Sequence, residues 1–193
     1  MSWHGVHLAD VAATPWRNGG GLTRELASGP AGGEWQWRLS VAEVAADGPF
    51  SRYEGVTRWF AVLQGSGVAL NVATPADTDA ATEHRLAAHD APLCFDGAAS
   101  TACRLMDGPT QDFNLMLRDG CLPGRMVRIR GSAQELAHAS KMIAIYAVST
   151  GATIDFNGQG LSVPPATLVW RQVTKAATVR IQCEHALWME WSA

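Results

Sequence analysis

Hydrophobic and polar residues alternate with a period of two along much of this chain. Over residues 35–42, Trp35, Trp37, Leu39 and Val41 fall on one face, and Gln36, Arg38 and Ser40 on the other. That is the pattern of a strand with one apolar side. Residues 58–63 form a second apolar run. Gln64-Gly65-Ser66-Gly67 then supplies a turn and residues 68–73 a return strand, which predicts a hairpin. The same reasoning places strands at 93–95, 103–106, 113–117, 126–130, 142–148, 153–156, 167–171, 178–183 and 187–191. Helical spacing is scarce. Ser132 and Glu135 have capping-box spacing and predict a short connecting helix over 132–140, with a weaker one over 8–13. Residues 74–89, rich in Ala, Asp and Thr, read as a surface loop.

The two halves repeat one order: strand, glycine turn, strand, proline-marked strand, strand, strand. The step from Pro92 to Phe113 nearly matches the step from Pro165 to Leu187. Short strands at this density predict an all-β fold, and their duplication predicts a tandem β-barrel of jelly-roll or cupin type. The expected division is 1–120 for an N-terminal barrel and 121–193 for a C-terminal one, packed together as one unit.

Composition narrows the function. Hydrophobic residues make up 47% and charged residues 17%, the balance of a folded globular chain. The net charge is −3 and the basic residues are scattered, so no nucleic-acid partner is expected. No run reaches the ~20 apolar residues of a membrane helix, and no signal-peptide pattern opens the sequence. Cys94, Cys103, Cys121 and Cys183 form no CxxC pair, which suits a reducing, cytoplasmic setting.

Candidate chemistry begins at Trp16-Arg17-Asn18-Gly19-Gly20-Gly21. Consecutive glycines belong where backbone takes unusual angles or approaches something closely. The segment is either a loop that brings amides and Asn18 to a ligand or a plain bulge. Beyond it, Thr23 with Glu25, then Arg38 with Ser40, then Arg58, then Asp112 with Asn114 put polar groups on one face of successive strands. Facing water they need no explanation. Facing a barrel interior they line a cavity in which Arg38 and Arg58 are natural anchors for a small acidic metabolite. Trp16 beside the glycines would form a stacking wall, whereas the other tryptophans on strands read as core. The six histidines show no His-x-His pair, so neither a metal site nor a cofactor is expected. A rival reading makes the chain an isomerase or hydrolase with Glu25 as general base. A third makes it a protein-interaction module. A homodimer through an exposed strand edge stays open.

Three segments, WRNGGGLTREL, the run from WQWRLSVAEV to VLQGSGVAL, and APLCFDG with DFNLMLR, together resemble the HutD/Ves family of bicupins, associated with bacterial histidine utilisation. The resemblance covers residues 16–118 through motifs, and the second half through its strand pattern. It implies two cupin barrels without the cupin metal centre, and a pocket in the first. It also implies a ligand-sensing or accessory regulatory role, with formylglutamate or urocanate as candidate ligand. Carried over by motif, the pocket residues are Trp16, Asn18, Gly20, Thr23, Glu25, Arg38, Ser40, Arg58 and Asn114.

Overall fold

The computed structural model describes residues 2–74 and 77–193. The chain forms two compact units, Ala12–Gly120 and Met1–Val11 with Cys121–Ala193. Strand β1 (His4–His7) and a 3-10 turn (Leu8–Asp10) open the chain. Then follow β2 (Thr14–Pro15), β3 (Gly21–Gly29), β4 (Trp37–Val44), β5 (Gly48–Pro49), β6 (Val56–Gln64), β7 (Val68–Thr74), β8 (Asp77–Leu86), β9 (Leu93–Asp96), β10 (Ser100–Leu105) and β11 (Thr110–Arg118). The remaining strands are β12 (Arg125–Ala137), β13 (Lys141–Ala147), β14 (Ala152–Phe156), β15 (Gln159–Val163), β16 (Thr167–Val173) and β17 (Ala177–Ser192). No helix among the described residues is long and apolar enough to cross a membrane.

In the unit Ala12–Gly120 the strands form two antiparallel sheets, ordered β2-β3-β4-β11-β6-β9 and β5-β10-β7-β8. Val44, Phe60 and Val62 of the first sheet meet Val68, Leu70, Val72 and Cys103 of the second in one apolar cluster. The sequence turn at 64–67 is therefore no hairpin. Strand β6 pairs with β11 and β9, whereas β7 crosses to the other sheet and pairs with β10 and β8. Both strands carry apolar inward residues, which bury more surface across two sheets than side by side. The corner needs glycine: Gly65 and Gly67 have φ of +96° and +109°. A Cβ at Gly67 would stand 2.4 Å from the Leu86 carbonyl oxygen.

The predicted loop at 74–89 is also corrected, because most of it forms β8, antiparallel to β7; residues 75 and 76 lie outside the described residues. An edge strand needs little apolar patterning when its partner supplies the core face. Its exposed Arg85 donates to Glu83 at 2.9 Å.

The other unit is a seven-stranded antiparallel sheet among the described residues, ordered β1-β16-β13-β17-β14-β15, with β12 also on β17. His4–His7, expected in the first barrel, instead supply its edge strand. His4 lies opposite Trp170, and their rings stack with centroids 5.4 Å apart. The helix expected over 132–140 is absent. Gln134, Glu135 and Leu136 continue β12 opposite Arg180, Val179 and Thr178. A long partner strand outweighs a local capping signal worth ~1 kcal/mol. Strand β15 escaped prediction, although Asn157-Gly158, with φ of +51° and +85°, closes the β14–β15 hairpin.

Candidate functional site

Strand register assembles a polar surface inside the unit Ala12–Gly120. Arg38 (β4), Met116 (β11) and Arg58 (β6) lie in one row across the sheet. The next row holds Glu25 (β3), Ser40, Asn114 and Phe60, and the row beyond it Thr23, Ala42, Asp112 and Val62. Period-two alternation turns these residues to the same face. All of them except Phe60, Val62 and Asp112 border a cavity of about 650 Å³. Of the nine expected site residues, Trp16, Asn18, Thr23, Glu25, Arg38, Ser40, Arg58 and Asn114 line it. The polar faces thus point inward.

Arg58 is the centre of this surface. It is only 7% exposed. Its Nε and Nη2 donate to Asn114 Oδ1 at 2.9 and 2.7 Å, and the guanidinium lies 4.6 Å from the Phe50 ring centroid. No carboxylate among the described residues stands at ion-pair distance from it. Burial lowers its pKa to about 10, so the group remains a cation at neutral pH. An amide oxygen and an aromatic face stabilise a buried charge less than a carboxylate does.

Arg38 is neutralised at the rim. Its Nε lies 2.8 Å from Glu25 Oε2, and Ser28 Oγ donates to Glu25 Oε1 at 2.8 Å. A bulge in β3 between Glu25 and Ala27 marks where this strand departs from regular register.

The glycine loop serves the wall rather than the ligand. The Gly20 amide donates to Asn18 Oδ1 at 3.1 Å, and the Gly20 carbonyl accepts from the Ala45 and Ala46 amides. Gly20 is buried and does not line the cavity, which corrects its expected role. A Cβ at Gly21 would fall 2.4 Å from the Glu43 carbonyl oxygen and 3.2 Å from the Trp16 ring. Trp16 packs over Gly21, donates from Nε1 to Thr23 Oγ1 at 2.7 Å and meets Phe50 edge-on.

Sequence reasoning passed over Arg17, Phe50, Ser51 and Tyr53, which line the cavity together with Met116. Arg17 sits beside Trp16 in the same motif, and Met116 follows Asn114 in the alternation of β11. Phe50, Ser51 and Tyr53 come from a connection without periodicity. With Arg17, three guanidinium groups face one carboxylate, a balance that favours anions.

Asp112 is wholly buried one row from Asn114 and does not line the cavity. Thr110 Oγ1 donates to its Oδ2 at 2.8 Å, and its Oδ1 has no hydrogen-bond partner. Burial lifts the carboxyl pKa to about 7, against the lowering pull of Thr110 and Arg58. The donor set suits no metal. Among the described residues no three His, Cys, Asp or Glu side chains stand together, and the inward row offers guanidinium, hydroxyl and amide groups.

Fold and site together define a protein of cupin-like fold with an arginine-centred cavity. The HutD family model matches residues 8–189, and the chain belongs to that family. An uncharacterised 21.2 kDa protein of the hutC 3′ region in Pseudomonas putida is 32% identical over 156 residues, 80% of this chain and 78% of that protein. Protein Ves of Citrobacter koseri is 37% identical over 109 residues, and the match spans 55% of this chain and 53% of Ves. Among solved structures, the conserved protein PA5104 of Pseudomonas aeruginosa superposes with a TM-score of 0.84 at 27% identity, covering 100% of this chain and 98% of that one. HutD of Pseudomonas fluorescens gives 0.82 at 24% identity, over 99% and 98%. An oxalate decarboxylase from Lactobacillus farciminis, solved as a formate complex, gives 0.67 at 7% identity over 97% and 85%, a likeness of fold alone.

Proposed function

We propose that this chain binds a small organic acid in the cavity of the unit Ala12–Gly120 and serves histidine utilisation as a ligand-sensing or accessory component. The observation that carries the reading is Arg58, a buried guanidinium with no carboxylate at ion-pair distance among the described residues. The space of about 650 Å³ suits a metabolite the size of formylglutamate or urocanate. The family's link to histidine utilisation supports this choice of acids, as does the hutC-region name of the Pseudomonas putida relative.

Catalysis by Glu25 has weaker support, because Arg38 and Ser28 already engage its carboxylate and its side chain is 45% exposed. A general base tuned for neutral pH is better served by burial.

A thermal-shift panel of N-formyl-L-glutamate, urocanate and their amides, with NMR of the same mixtures, tests the reading. One of the acids is expected to raise Tm, its amide to do so weakly or not at all, and no product to appear. Arg58→Met is expected to weaken that acid at least ~100-fold, the scale of a lost charge-assisted contact in a dry site. Equal shifts by acid and amide, or unchanged affinity in Arg58→Met, would overturn the proposal. A product signal would replace sensing with turnover.

A further inference from the structure

We propose that Asp112 couples acid binding in this cavity to the uptake of one proton from solvent. The inference rests on the acid-binding reading above and adds a proton linkage to it.

The geometry sets a fully buried carboxyl on the same face of the sheet as the guanidinium that a ligand carboxylate would engage. Asn114 holds Arg58 through two hydrogen bonds, and Asp112 stands on the same face of β11 one row away. Among the described residues its only hydrogen bond to a side chain comes from Thr110, and Oδ1 is buried without a partner. The surrounding strands supply few ionisable groups. Strand β6 offers Arg58; β4 offers Arg38, already paired with Glu25; β3 offers Glu25 at the rim. Strand β10 offers Cys103, whose thiol burial pushes up to about 12 and so keeps neutral. Asp47 reaches Cys103, and Tyr53 reaches Arg58. The other neighbours in these rows, Ala42, Val62 and Ser40, do not titrate. Ionised Asp112 therefore has the Thr110 hydrogen bond and, through space, the Arg58 charge for compensation.

A ligand carboxylate docking on Arg58 brings a second negative charge into the same low-dielectric interior. Like charges disfavour each other's ionised form, and the group with fewer donors gives way. Asp112 accepts the proton, and no bond to the ligand forms or breaks. Burial already holds this carboxyl near neutrality, so the uptake falls in an accessible range. The sign follows from linkage. If the complex holds more protons than the free protein, affinity falls as pH rises above neutrality, by up to about tenfold per pH unit.

Calorimetry with N-formyl-L-glutamate, whose own carboxyls are ionised above pH 6, tests this in buffers of different ionisation enthalpy. At pH 8 the wild type is expected to take up close to one proton per ligand, and its affinity to fall between pH 7 and pH 8. Asp112→Asn is expected to bind without uptake, with a flat pH profile and an affinity at pH 8 at or above that of the wild type. NMR of carboxyl-labelled aspartate follows the same group in the unmodified chain, where ligand should shift the Asp112 titration upward. Binding without uptake, uptake that persists in Asp112→Asn, or an Asp112 signal unmoved by ligand overturns the coupling and leaves acid binding intact. If Asp112→Asn does not fold, the NMR titration alone decides. No heat with this acid, together with no thermal shift from any acid in the panel, overturns the acid-binding reading and the coupling with it.

Discussion

The two units are built alike, from antiparallel strands with inward alternation, yet one turns polar residues to a cavity and the other gathers hydrocarbon into a core. In the unit Ala12–Gly120 the inward positions of β11 are Asp112, Asn114 and Met116, and β6 contributes Arg58 beside them. In the other unit, the corresponding work falls to Ile143 and Ile145 of β13, Val169 of β16, and Ile181, Ala186 and Trp188 of β17. Each unit also sets an arginine against two aromatic rings. Arg171 lies 4.0 Å from the Phe156 ring centroid and 5.4 Å from that of Trp3, capped by aromatic faces of its own unit. Arg58 lies against Phe50 and Phe95, at 4.6 and 5.5 Å from their centroids, and also lines the cavity. Strand pairing, then, does not decide whether such a unit holds a cavity. A handful of inward residues does, and the polar choice sacrifices packing that hydrocarbon would supply.

The sharpest way to break this comparison is truncation inside the hydrocarbon core. Trp188 is completely buried, and Trp188→Ala removes its packing against that core. The expected loss is ~3–5 kcal/mol in chemical denaturation, the range for large aromatic truncations. Ser40→Ala, which borders space already open, is expected to cost less than about 1 kcal/mol. Similar losses at the two positions would mean that both interiors are packed alike.

A smaller effect lies in the wall of the cavity. The Cβ of Gly21→Ala would meet the Glu43 carbonyl at 2.4 Å, a backbone contact that cannot rotate away. The loop must shift and Trp16 with it. A loss of ~1–3 kcal/mol is expected, as for overpacked sites. Affinity for the acid should fall as well, as calorimetry would show. Gly19→Ala sets no side chain against a neighbour and strains only its φ of +72°, so it should spare the pocket more. Equal affinity losses in the two variants would deny Gly21 its packing role.

How far the chain could be read without coordinates differs between these regions. Alternation over 35–42 and 110–118 sufficed to put Arg38, Ser40, Asp112 and Asn114 on shared faces, because period two is a property of the strand itself. It did not say which face turns inward. Leu39, Val41, Phe113 and Leu115 on the opposite face are buried too, so polarity alone gives no direction. Strand pairing was hidden for another reason. Gly65-Ser66-Gly67 reads the same whether the next strand returns beside the first or crosses to another sheet. Residues 77–86 looked like a loop because an edge strand tolerates polar side chains. The Asn157-Gly158 turn was within reach, with strand residues on both sides. Asp112 was visible in the alternation, but a missing hydrogen bond at Oδ1 exists only once the fold surrounds it.

The mildest expected effect separates sensing from catalysis at the rim. Glu25 pairs with Arg38, but its side chain is 45% exposed and that of Arg38 19%, so solvent screens the pair. Exposed or half-exposed pairs contribute ~0–1 kcal/mol, and Glu25→Gln should leave Tm nearly unchanged. Its effect on the acid should have the opposite sign from that of Arg58→Met. Removing the only carboxylate among the described residues that line the cavity releases Arg38 and raises the local positive charge. Affinity is then expected to rise a few-fold at low salt and to return toward the wild-type value as ionic strength increases. Calorimetry at two salt concentrations reads both changes. A fall in affinity would show that Glu25 itself accepts hydrogen bonds from the ligand. A product that forms with the wild type and vanishes with Glu25→Gln would make the cavity an active site, and the polar interior would then be kept for chemistry.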